Sequence, residues 1–253
     1  MTNDRMQVPT SLVRKLIEEQ FPQWAGLPIK PVSTSGWDNH TFHLGECMSV
    51  RLPSAERYVA QVEKEHRWLP WLKVRLPFTI AEPIAMGEPG AAYPWPWSIY
   101  RWLPGEAASK DNVPKKSKFA YELASFINHL LEIDATTGPL VGEHNFYRGG
   151  PLSTYEYETI KALDVLGDDV PQREAHRCWK EAMRSHWTEA PVWIHGDLSP
   201  SNILVQEASL SAVIDFGGCG VGDPACDLAI AWTFFSGESR DILLHETCLD
   251  AAT

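Results

Sequence analysis

Hydrophobic and polar positions follow two different rhythms along the 253-residue chain. Over residues 10–20, Leu12, Val13, Leu16 and Ile17 fall on one face at the 3.6-residue period, which predicts an amphipathic helix. Short apolar runs at 29–33, 40–44 and 47–52 read as strands, and a helix over 54–69 follows, with Ser54 placed to cap it. Extended pieces at 79–85 and 97–102 flank the proline-rich turn Tyr93-Pro94-Trp95-Pro96. Leu103-Pro104-Gly105 then punctuates the chain. Beyond it, helices are predicted over 115–133, 153–166 and 172–188, a compact hairpin over 203–205 and 212–214, and an apolar helix over 224–235. Strands with one main helix first and mainly helices second predict an α+β fold of two lobes, 1–102 and 103–253, hinged at the 103–105 turn.

Composition narrows the classes. Residues 1–6 are polar and lack the apolar core of a secretory signal, and the apolar run 228–235 is far shorter than the ~20 residues a membrane span needs. The five cysteines are odd in number, scattered and free of any C-x-x-C pair, which favours free thiols in a reducing cytoplasm over disulfides or a zinc site. The net charge of −11 is unevenly spread: residues 1–105 hold 11 Lys/Arg against 10 Asp/Glu, whereas residues 106–253 hold 11 against 23. Such an acidic half repels nucleic acid and would attract a cationic small molecule, although solvated acidic surface accounts for most of the excess.

The chemistry is concentrated in His195-Gly196-Asp197-Leu198-Ser199-Pro200-Ser201-Asn202, followed after a hydrophobic hairpin by Ile214-Asp215-Phe216-Gly217. Phosphoryl transfer asks for a carboxylate near the acceptor hydroxyl and for oxygen ligands that hold Mg²⁺ against the phosphates. Asp197 fits the catalytic base, and Asn202 and Asp215 fit the metal ligands, in the order and spacing of the protein-kinase signature. Asp197 or Asn202 alone would read as a turn former; the ordered set does not. His195 reads as a residue that orients backbone and carboxylate, and no histidine spacing suggests a transition-metal site.

His195–Asn202, together with residues 214–229 and Ser98-Ile99-Tyr100-Arg101-Trp102-Leu103-Pro104-Gly105-Glu106, resembles the aminoglycoside phosphotransferase family, which is related to choline kinases. The resemblance implies a protein-kinase-like fold: an N-terminal antiparallel sheet with one main helix and a mainly helical C-terminal lobe. It implies ATP or GTP as donor, a choice the sequence leaves open, and backbone contacts to the base at the hinge near Arg101 and Leu103. Family members continue into further helices that wall the acceptor site, so a shortened natural form or a fragment is expected here.

On the nucleotide side, Ser35 and Gly36 lie in a loop between two strand-like runs, where it reads equally as an ordinary turn or as a cover for the phosphates. Arg51 stands on a strand where kinases place a phosphate-gripping cation, and arginine can grip phosphate bidentately. Of two glutamates that could pair with it, Glu65 shares the inward stripe of Tyr58, Val62, Leu69 and Leu72, whereas Glu63 faces away, so Glu65 is the expected partner.

Only seven residues separate Asp215 from Asp223-Pro224. A protein kinase needs a much longer activation segment to dock a peptide, so a small hydroxyl-bearing acceptor is expected. Asp223 reads as a helix cap and Asp227 as a first-turn carboxylate that favours the helix dipole. Glu106, Asp134, Glu156 and Glu158 are candidate contacts for a cationic acceptor, and each also reads as a solvated surface residue. The sequence thus supports an active small-molecule kinase, with a nucleotide-binding module of little turnover as the alternative.

Overall fold

The computed structural model describes residues 5–33, 36–247 and 249. Helix α1 (Thr10–Gln20) begins and ends where the apolar period begins and ends. It lies on a five-stranded antiparallel sheet of β1 (Ile29–Pro31), β2 (Asn39–Leu44), β3 (Met48–Pro53), β4 (Pro83–Gly87) and β5 (Trp97–Arg101), in the order β1-β2-β3-β5-β4. Alternation along the strands divides the sheet into two faces. Phe42, Leu44, Val50, Leu52, Trp97 and Ile99 pack with Val13, Leu16 and Ile17 of α1. Thr41, Arg51 and Ser98 pair across β2, β3 and β5, and their side chains belong to the opposite face, as does that of Tyr100.

Helix α2 (Val59–Lys73) covers that second face. Its start corrects the expectation at Ser54. That side chain is fully buried, and its hydroxyl donates to Trp37 O at 2.9 Å instead of accepting from the helix. Ser54 N–H donates to Asp38 O at 2.8 Å, so the residue ties down the preceding loop. A 3-10 turn (Glu56–Tyr58) intervenes before α2.

Past β5, the short β6 (Glu106–Ala107) leads to α3 (Lys116–Leu131), the central helix of the second half, whose Phe119, Leu123, Phe126 and Ile127 are buried. Next come α4 (Glu156–Leu166) and α5 (Gln172–Ala182), neither of which has a buried residue. Strand β7 (Val192–Ile194) follows, then the hairpin of β8 (Ile203–Gln206) and β9 (Ser209–Val213), to which β6 adds on the β8 side. Strand β10 (Gly220–Gly222) pairs antiparallel with β7. The single helix expected over 224–235 is instead a 3-10 run (Pro224–Ala229) and a short α6 (Ile230–Thr233), followed by α7 (Glu238–Glu246). Asp223 caps the 3-10 run as expected, accepting from Ala225 N at 2.9 Å.

The α+β architecture is therefore the expected one, a sheet with one main helix before a mainly helical half. The two halves share a core. Trp68, Leu69 and Leu72 of α2 and Tyr100 of β5 join the cluster that holds α3, Trp193 and Phe216. Trp193 sits against Trp68 and Trp71 with ring centroids 5.2 and 5.5 Å away. Among the described residues no helix is long and apolar enough to cross a membrane.

Candidate active site

β7 carries the chain into His195, which is fully buried. Its Nε2 meets Ile214 O at 3.0 Å, an acceptor, so Nε2 bears the proton. Nδ1 is then free to accept from Asp197 N–H at 3.2 Å, which makes His195 the orienting residue that the motif suggested. Its ring also lies 4.5 Å from that of Phe216.

The loop is fixed from below by Asp227. Its two oxygens accept the backbone N–H groups of His195 (2.7 Å) and Gly196 (2.8 Å), and the residue is only 3% exposed. This corrects the reading of Asp227 as a simple dipole-favouring carboxylate. Burial pushes its carboxyl upward, while the two N–H groups work against that rise. The sequence offered the spacing of Asp223 and Asp227 but nothing to show that the second would be swallowed by the loop.

Gly196 sits at φ +79°, and a Cβ there would stand 2.1 Å from Gly218 O. Glycine is required twice over at this point, by conformation and by the closeness of the loop after Asp215.

A 3-10 turn (Pro200–Asn202) brings Asn202 back to Asp197. Asn202 Nδ2 donates to Asp197 O at 2.9 Å and to Asp197 Oδ2 at 3.0 Å, which leaves the amide oxygen as its remaining donor to a cation. Asp215 follows β9 at φ +64°, a left-handed conformation that Asp tolerates better than most residues. Its Oδ1 accepts from Arg51 Nη2 at 2.7 Å.

Arg51 reaches Asp215 from the sheet. On its other side, Arg51 Nη1 lies 3.7 Å from Glu65 Oε1, and Tyr100 OH donates to Glu65 Oε2 at 2.6 Å. Glu65 Oε1 is buried with no hydrogen-bond partner, because 3.7 Å is an ion-pair distance and not a hydrogen bond. Burial alone would disfavour the charge on Arg51, but Asp215 and Glu65 more than offset it and hold the guanidinium charged. Burial likewise raises Asp215, yet Arg51, by its charge and its hydrogen bond, brings the carboxyl below the usual range. Burial dominates at Glu65 and pushes it up.

The structure thus brings Asp197 and Asn202 together, and joins Asp215, Arg51 and Glu65 in a chain of contacts. It treats the remaining expected residues differently. Ser35 lies outside the described residues. Gly36 is exposed, and its carbonyl accepts from Arg5 at 3.4 Å. Arg101 donates its N–H to Glu82 O at 2.9 Å and its Nε to Glu82 Oε2 at 2.8 Å, so its side chain turns away from Arg51. Leu103 follows Trp102, whose N–H is held by Cys47 O at 2.8 Å and whose ring lies 4.1 Å from that of His43.

Glu106 lies on β6, exposed, opposite Val205. Asp134 is committed to Thr136, whose two hydrogen bonds hold its carboxyl down. Glu156 and Glu158 are exposed in the first turn of α4. Asp38 is a residue the sequence reading missed: its Oδ2 accepts from Gln61 of α2 at 3.3 Å, and burial followed by the neighbouring Asp215 charge raises it.

Among the described residues, no group of three or more His, Cys, Asp or Glu is arranged to hold a metal ion. Asn202 and Asp215 offer hard oxygens, with Asn202 pre-oriented by Asp197. That small donor set suits Mg²⁺, which takes one or two protein oxygens and completes its shell with phosphate and water.

A model of the phosphotransferase enzyme family matches residues 28–251 of the chain. Aminoglycoside 3'-phosphotransferase of Escherichia coli is 26% identical over 140 residues, which is 54% of this chain and 51% of that protein. The chain spans about half the length of the curated relatives it matches. Among solved structures, the GDP and kanamycin complex of APH(2")-IIia superposes with a TM-score of 0.76 at 20% identity, covering 93% of this chain and 82% of the other. Macrolide 2'-phosphotransferase type I gives 0.65 at 22% identity, covering 96% and 83%. These likenesses show a shared fold.

Proposed function

The chain belongs to the phosphotransferase enzyme family, and from that premise we propose that it transfers the γ-phosphoryl group of ATP or GTP to a hydroxyl of a small molecule. An aminoglycoside is the first acceptor to try. The observation that carries this reading is the pairing of Asp197 with Asn202 beside an Asp215 already matched to the partly buried cation of Arg51.

Residues 1–102 would hold the nucleotide, with its base near Leu103 and the loop at Ser35 and Gly36 over its phosphates. Residues 103–253 would carry the catalytic loop and the acceptor. Asp197 accepts the proton of the acceptor hydroxyl as its oxygen attacks the γ-phosphorus. The new O–P bond forms while the bond to the bridging oxygen breaks, and the nucleoside diphosphate leaves. Arg51, positioned by Glu65, neutralises charge on the phosphates. Asn202 and Asp215 would hold Mg²⁺, which when bound offsets phosphate charge and aligns the γ-phosphoryl group. A nucleotide donor of this kind supports a cytoplasmic setting for the reaction.

The stretch after Asp215 supports a small acceptor. Residues 216–218 form a tight turn, and 220–222 pair directly with β7. No loop is spared there to dock a peptide. The acidic second half and the neighbour solved with kanamycin support a cationic acceptor.

The test is incubation with Mg²⁺, ATP or GTP and a panel of aminoglycosides, macrolides and amino alcohols, with product followed by mass spectrometry. Product is expected with at least one acceptor. Asp197→Asn should lower kcat by about 10²- to 10⁴-fold, the range of a lost general base. Full activity in that variant, or no product with any acceptor despite nucleotide binding, would sink the proposal.

A further inference from the structure

We propose that Lys64 is a positioning residue: it locks α2 to the loop that follows Asp215, and so holds Glu65 and Asp215 in register on either side of Arg51. The inference rests on the functional reading above and extends it to how the site stays assembled without an activation segment.

Lys64 is 8% exposed and directly precedes Glu65 on α2. Its Nζ donates to Gly217 O at 2.6 Å, Cys219 O at 3.0 Å and His144 O at 3.1 Å, and lies 3.2 Å from His144 Nδ1. His144 Nε2 meets Leu140 O at 2.8 Å and so carries the ring proton, which makes Nδ1 an acceptor for Lys64. Three ammonium hydrogens are therefore shared among four acceptors, none of them a carboxylate. A buried cation held only by neutral oxygens and a nitrogen is costly, and burial pulls its pKa down. A side chain that only filled space there would be cheaper as methionine.

What Lys64 grips is specific. Gly217 and Cys219 are the second and fourth residues after Asp215, and the gripping residue is adjacent to Glu65. One turn earlier, Gln61 packs on the same loop, since a Cβ at Gly217 would stand 2.8 Å from its side chain. Gln61 also donates to Asp38 in the loop before β2. Asn145, fully buried, reaches Gly218 O at 3.4 Å from the segment that holds His144. One face of α2 is thus fastened at the same time to the loop before β2, to the Asp215 loop and to residues 144–145. A shift of α2 that carried Glu65 away would have to break the Lys64 contacts first.

The decisive measurement is nucleotide affinity with and without Mg²⁺, by calorimetry, with kcat and KM alongside and a thermal melt to confirm folding. For Lys64→Met, the gain conferred by Mg²⁺ should shrink about tenfold and kcat fall by a similar factor, while affinity without Mg²⁺, which depends on Arg51 but not on Asp215 as a metal ligand, falls by less. Lys64→Arg, which keeps charge and donors, should recover part of that gain. His144→Ala, which removes a partner from outside the helix, should shift it in the same direction as Lys64→Met. A lower melting temperature with unchanged Mg²⁺ coupling in the folded protein would overturn the inference. Should Lys64→Met fail to fold, Lys64→Gln carries the same comparison. Wild type that binds nucleotide with no help from Mg²⁺ would overturn the functional reading itself, a result distinct from failure of Lys64 alone.

Discussion

The loops at 195–202 and 215–222 and the helices α4 and α5 belong to the same half of the molecule, yet they are built on opposite terms. In the loops, His195, Asn202 and Phe216 are buried, two backbone N–H groups are spent on a buried carboxylate, and glycines meet backbone at distances no side chain could share. In α4 and α5 no residue is buried; Tyr157 is 72% and Val165 80% exposed. The chemistry is anchored in the core, and α4 and α5 are nearly independent of it. The difference teaches that stability and transfer should fail together at the loops and separately at the helices.

Asp227→Ala should break the loops most severely. It leaves the N–H groups of His195 and Gly196 buried without a partner, at about 3 kcal/mol, and activity should fall with stability. Chemical denaturation together with kcat measures both. Loss of activity without loss of stability would mean that Asp227 does not hold the loop up.

Gly196→Ala comes next. A side chain at φ +79° with Gly218 O in its path forces the two loops apart, at about 2 kcal/mol or more. A displacement of that kind should lower kcat about 10²-fold.

The smallest effect belongs to the helices. Tyr157→Ala and Val165→Ser should each change stability by less than about 0.5 kcal/mol, with kcat at saturating acceptor unchanged. If either unfolds the protein, α4 is more deeply integrated than its exposure shows and the contrast collapses. A change confined to acceptor KM would sharpen it by placing α4 in the acceptor wall.

Much of the fold was legible because local pattern and tertiary burial agree. The stripe of Leu12, Val13, Leu16 and Ile17 sets the span of α1, and the alternation of β2 and β3 sets the two faces of the sheet. Legibility ended where backbone geometry depends on distant partners. Gly220-Val221-Gly222 has little strand propensity and becomes β10 only because β7 supplies the ladder. Ser54 has the right side chain for a cap, but its hydroxyl serves Trp37 O instead. In the site, the order Asp197, Asn202, Asp215 was readable as spacing. The roles of Asp227, Lys64 and Asp38 were not, since each acts through backbone or side chains far away in sequence. Their types alone read as ordinary helix and turn residues.

The contact between Gly196 and Gly218 has a consequence for how such a chain can change over generations. The hairpin of β8 and β9 spans the interval between them, and its two ends are clamped at a separation too short for adjustment. Insertions and deletions at the roots of that hairpin would spoil both ends at once. Its tip, where Glu207 and Ala208 turn through left-handed conformations, has no such tie to the clamp. Length variation among descendants of this sequence should therefore gather at 207–208, while the number of residues on each side of the tip stays constant.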